Sequence, residues 1–183
     1  MHRLRLLQLV PVTLVLALMP ATASAAVPET FHFTQSGTDT DPDFCGTGQE
    51  VNIAYDVVGN IWISPDGEED LIRVTQSGTV TFTNPDNDLS VTDSFANQIT
   101  GAISGDVEGV HTALETNVGL PSRIQTANGP VLVRDAGIII FAVTYDGEEF
   151  VSAGVVSVRG PHPEADSDFG LFCEVTTDAL GIG

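Results

Sequence analysis

The residues whose type and spacing could do chemistry are mostly acidic. Asp39, Asp41 and Asp43 alternate through one short segment, and Glu50 stands at the twelfth position counted from Asp39. That is the ligand spacing of a helix–loop–helix calcium loop, in which hard carboxylate oxygens surround the ion. Phe44 occupies the sixth position, where the loop's sharp turn wants glycine, Pro42 stiffens the middle, and the flanks read as strands. Two readings stay open for Asp39, Asp41 and Asp43: a looser calcium site, or a solvated acidic loop. Calcium is the one cofactor this sequence suggests.

A second candidate is the adjacent pair Arg134 and Asp135, which opens the most apolar stretch of the chain, residues 138–143. It reads either as an ordinary bridge at a strand start or as a ligand-binding pair. In the second reading Arg134 points into a barrel mouth and orients an anionic or polar ligand. Hydrolytic machinery is not evident: no Gly-x-Ser-x-Gly elbow occurs, and His32, His111 and His162 cannot be paired with a serine and an acid from sequence. A catalytic alternative would use an interior carboxylate or His111, marked by a carboxylate with a strongly raised pKa. Trp62, Tyr55 and Tyr145 suit either a carbohydrate platform or the core.

These groups must be positioned by a chain of 183 residues carrying 6 basic against 25 acidic side chains, a formal net charge of −19. All six basic residues are arginine. Hydrophobic residues make up 42%, so the chain is no disordered acidic tail but one domain's worth of core. Arg3 and Arg5, an apolar run ending at Pro20, and Ala23-Ser24-Ala25 read as a secretory signal over residues 1–25. Its loss leaves four arginines against 25 acids, 4 − 25 = −21. Such a surface repels nucleic acid and anionic membrane and keeps a protein soluble and monomeric. With no lipidation cysteine after the cleavage site and no apolar tail, the expectation is a secreted monomer without a membrane anchor. Cys45 and Cys173, the only cysteines, then read as a disulfide formed in an oxidising compartment.

The dominant period along residues 26–183 is two. In residues 71–83, Ile72, Val74, Val80 and Phe82 alternate with threonine, serine and arginine, which marks a half-buried strand. Gly59-Asn60 and Asp146-Gly147 are hairpin signals, and Asn84-Pro85-Asp86-Asn87-Asp88 is turn chemistry. Further strands are expected at 30–34, 89–95, 98–104, 110–116, 123–126, 131–134 and 150–158. About ten short strands with no helical period between them predict an all-β domain, a single antiparallel barrel or sandwich. One short C-terminal helix follows, capped by Asp168, with Phe172, Val175 and Ala179 on one face.

Phe44-Cys45-Gly46-Thr47-Gly48, Thr83-Asn84-Pro85, Arg134-Asp135-Ala136-Gly137, Gly160-Pro161-His162-Pro163 and the segment from Asp166 to Cys173 carry a resemblance. In order and spacing they are similar to a family of exported, β-rich actinobacterial proteins, over nearly the whole mature chain. The resemblance implies export, paired cysteines and a β fold, and brings no activity with it. The functional expectation is non-catalytic binding of a small apolar ligand or an extracellular macromolecule. Small inward residues such as Ala102, Ala142, Ala153 and Gly154 would open an interior cavity for the former. A calcium-stabilised extracellular structural protein is the third expectation.

Overall fold

The computed structural model describes residues 28–66, 69–104, 109–127, 129–147, 149–167 and 170–182. The signal read over residues 1–25 and the cap read at Asp168 lie outside them. Seven strands follow one another: β1 (Glu29–Asp41), β2 (Val51–Asp66), β3 (Glu69–Thr83), β4 (Ser90–Ser104), β5 (Val110–Thr126), β6 (Val131–Asp146) and β7 (Glu149–Arg159). Two short helices close the chain, α1 (Pro163–Asp166) and α2 (Leu171–Ala179). Each strand pairs antiparallel with the next, in the spatial order β1 to β7. The all-β class and the terminal helix are as expected. The strand number and the closure are not: the sheet is one open layer of seven strands, with β1 and β7 as its edges.

The count fell because signals read as turns lie inside long strands. Gly59-Asn60 sits in the middle of β2, fully extended and paired with Phe33 and His32. The reason for glycine there is contact, since a Cβ at Gly59 would run into the Thr75 carbonyl and the Phe33 ring. Gly78 serves Phe95 of β4 in the same way. Residues 110–116 and 123–126 likewise join as β5, and 131–134 joins the apolar stretch 138–143 within β6. Their joints are a bulge between Gly119 and Ser122 and, opposite it, Gly137 at φ 126°, so the ladder bends without turning back. Asp146-Gly147 does turn the chain, between β6 and β7.

Strict alternation gives the sheet two faces. The inner face carries the core at the end where the helices dock. Phe44, Val51, Ile53, Phe82, Val91, Ile124 and Val133 pack there with Leu180 and Ile182, and Phe172, Val175 and Ala179 of α2 close over them. Phe44, Phe82 and Phe172 form a three-ring cluster with centroids 5.4, 6.2 and 5.5 Å apart. Cys45 and Cys173 are bridged, Cα atoms 5.6 Å apart, which staples α2 to the short 3-10 turn Phe44–Gly46. Asn84 and Asn87, in the β3–β4 turn, each donate to the Leu180 carbonyl at 3.0 Å and so cap α2 from outside it. A smaller cluster of Ile61, Ile72 and Val74, flanked by Phe33, Ile63 and Ile99, fills the inner face toward the other end.

Candidate functional site

Asp39 and Asp41 lie on β1 and Asp43 in the turn after it. Their oxygens serve the backbone: Asp39 accepts from Thr40 N–H at 2.8 Å, Asp41 from Asp43 N–H at 3.0 Å, and Asp43 from Gly48 N–H at 2.8 Å. The Asp41 and Asp43 bonds are local turn bonds of the kind Asp makes where the chain reverses, and the Asp39 bond lies within β1. Among the described residues no group of three or more His, Cys, Asp or Glu is arranged to hold a metal ion.

Arg134 and Asp135 do not act together. Being consecutive on β6, they point to opposite faces of the sheet, Arg134 exposed and Asp135 buried at 5% exposure. The barrel mouth that Arg134 was expected to enter is missing, because the sheet does not close.

Asp135 belongs to a buried polar cluster beneath α1. Glu164 N–H donates to its carboxylate at 3.3 Å, and His162, Glu164 and Asp93 are each at most 5% exposed around it. Burial raises the pKa of Asp135, an effect that the Glu164 N–H and the His162 charge oppose. Glu164 is pushed up to about 7 by burial, against an N–H from Phe172, with repulsion from Asp135 and Asp93 added. Asp93 accepts from Ser122 Oγ at 2.8 Å and from Arg123 N–H at 2.9 Å. The cluster is almost fully buried. It holds elements together.

His111 meets a more open group. It stacks on Tyr145 with centroids 5.6 Å apart, and the Tyr145 hydroxyl donates to Glu115 at 2.6 Å. Phe150 meets the Tyr145 ring edge-on at 6.4 Å. Burial and the Glu115 carboxylate raise the Tyr145 pKa, so this hydroxyl stays protonated as a donor. Tyr55 shares the inner face, its ring over Gly37. Trp62 does not: it lies on the outer face under Arg73, 5.3 Å from guanidinium carbon to ring centroid. The three aromatics therefore build no common platform.

The feature that sequence reading missed is on the outer face. The registers align His32, Asn60, Thr75 and Gln98 directly across β1, β2, β3 and β4, with Val118 of β5 next in the row. The neighbouring row is Thr34, Val58, Ser77 and Ala96. Together they floor a groove of about 620 Å³. His32 Nδ1 hydrogen-bonds to Asn60 Oδ1, and Asn60 Nδ2 donates to Thr75 Oγ1 at 3.4 Å, while Gln98 Nε2 reaches Thr100 at 3.4 Å. Among the described residues no acid and no arginine lines the groove, in a chain where acids number 25. No sequence motif could show this row, because its members come from four strands and meet only through register. Ala153 and Gly154, expected to open an interior cavity, are exposed on the edge strand β7.

Comparison with protein-family models, curated proteins and solved structures gives no match to this chain.

Proposed function

We propose that the chain is an exported, non-catalytic binding protein that holds an uncharged, hydroxyl- or amide-rich ligand against the outer face of its sheet. A single observation carries this reading: the cross-strand row His32–Asn60–Thr75–Gln98 on the floor of an uncharged groove of about 620 Å³. Side-chain amides and hydroxyls both give and accept hydrogen bonds, so they read neutral polar groups without needing a counter-charge. The groove's volume suits a short sugar or peptide segment. The disulfide suits an oxidising, extracellular setting.

The test is an amide-resolved NMR titration with neutral oligosaccharides and peptides. Binding at the groove shifts the side-chain amides of Asn60 and Gln98, and Asn60→Ala with Gln98→Ala abolishes saturation. Shifts confined to residues elsewhere would sink this reading.

The second reading is catalytic and rests on Glu115, Tyr145 and His111. Tyr145→Phe and Glu115→Gln removing a hydrolytic activity of the purified wild type would support it. Equal activity in all three proteins would remove it.

A further inference from the structure

We infer that Arg123 and Arg134 form a binding site for a tetrahedral oxyanion, a phosphate or sulfate group, on the outer face of the sheet. The two are direct cross-strand partners, Arg123 of β5 against Arg134 of β6, on one face. At such a position Cβ atoms stand about 5 Å apart, and like charges opposed there are destabilising. A chain with 25 acids has ample means to neutralise the pair. Among the described residues it does not: neither guanidinium has a carboxylate partner. Two of the four arginines beyond residue 25 thus stand side by side across two strands, without a carboxylate partner among the described residues, Arg134 exposed and Arg123 half-buried.

The backbone around them is built and held. Register shifts lie on either side of the pair, between Gly119 and Ser122 and between Ile124 and Gln125. Bulges of this kind re-aim side chains and recur beside functional sites. From the inner face, Asp93 takes both Ser122 Oγ and Arg123 N–H, and Asp135 directly behind Arg134 takes Glu164 N–H. The buried acids therefore fix the segments whose opposite side presents the arginines.

Two guanidinium forks offer more donors than one carboxylate can accept and match the several oxygens of a phosphate or sulfate. The negative field of the whole chain opposes an anion at long range. At physiological salt it is screened beyond about 8 Å, so the contact pair governs. The same chemistry is carried by the free ion and by a phosphate or sulfate ester on a larger molecule. This site is separate from the uncharged groove and does not depend on it.

The experiment is calorimetric titration of the full-length protein, processed as its host exports it, with inorganic phosphate, inorganic sulfate and glucose 6-phosphate in 0.15 M NaCl. Wild type is expected to bind saturably, and R134Q and R123Q each to weaken binding by about tenfold or more, the loss of one charge-assisted fork. R134K, which keeps the charge and loses the fork, should fall between. R73Q, on a different pair of strands, should match wild type. Arg134 is exposed, so R134Q carries the test even where R123Q fails to fold. Tighter binding of the sugar phosphate than of the inorganic ion upholds the site and assigns an ester, and equal binding upholds it and assigns the free ion. No saturable binding of any probe, or unchanged affinity in R134Q, overturns the inference.

Discussion

The backbone N–H of Glu164 donates to the carboxylate of Asp135 at 3.3 Å, joining α1 to β6 inside a cluster whose side chains are at most 5% exposed. Burial raises the pKa of both carboxylates there. The Glu164 pKa rises from 4.5 to about 7 on folding, so the folded state binds the extra proton between those values. Stability from this group is complete below about pH 4.5, drains away as pH climbs toward 7, and is flat above. The amplitude is roughly 3 kcal/mol, and Asp135 adds in the same direction. Urea midpoints should be higher at pH 5 than at pH 8, and Glu164→Gln should flatten the difference. Identical slopes in wild type and variant would contradict the assignment.

The Cys45–Cys173 bridge closes a separation of 128 residues. The chain-entropy account gives such a loop about 5 kcal/mol. Cys173→Ser should lose a few kcal/mol in denaturant, and reduction of wild type should bring its midpoint down to that of the variant. An unmoved midpoint would mean that α2 is held by packing alone.

Phe82 lies at the centre of the three-ring cluster and is 3% exposed. Phe82→Ala should cost about 3–5 kcal/mol, because the neighbouring rings of Phe44, in a turn, and Phe172, in a helix, cannot both collapse into the space. Phe82→Leu should cost less. Thermal melts would rank the two, and equal losses would mean that the cluster relaxes freely.

Two glycines should behave in opposite ways. A Cβ at Gly78 would press on the Asp56 carbonyl and the Phe95 ring, whereas one at Gly154 meets nothing within 4 Å. Gly78→Ala should destabilise by about 1–3 kcal/mol. Gly154→Ala should be neutral or mildly stabilising, since it only reduces the freedom of the unfolded chain. A tolerated alanine at Gly78 would show that Phe95 can leave its position at little cost.

The β class, the bridge and the apolar face of α2 were legible because each depends on residues whose pattern is local or whose partner is unique. Ile72, Val74, Val80 and Phe82 announce one strand face by themselves, and two cysteines allow one intramolecular pair. Strand number was not legible, because Gly59-Asn60 carries the same letters whether the chain turns or a phenylalanine lies across the glycine. The candidate sites were legible only as residue types. Arg134 was singled out together with its neighbour in sequence, Asp135, which faces away from it. Its cross-strand partner, Arg123, is fixed by the bulged register of β5 on β6. The groove row likewise exists only once four registers are set.

The order β1 to β7 means that every strand finds its partner in the segment made just before it. Each ladder can therefore zip from a short connection, with little loop entropy to overcome. The thiol pair is non-local, like the packing of α2: Cys45 lies before β2 and its mate comes after β7. A chain emerging from its N-terminus can assemble the sheet one hairpin at a time, while the first thiol waits for almost the whole domain. The bridge can close only once Cys173, which follows β7, has arrived beside Cys45.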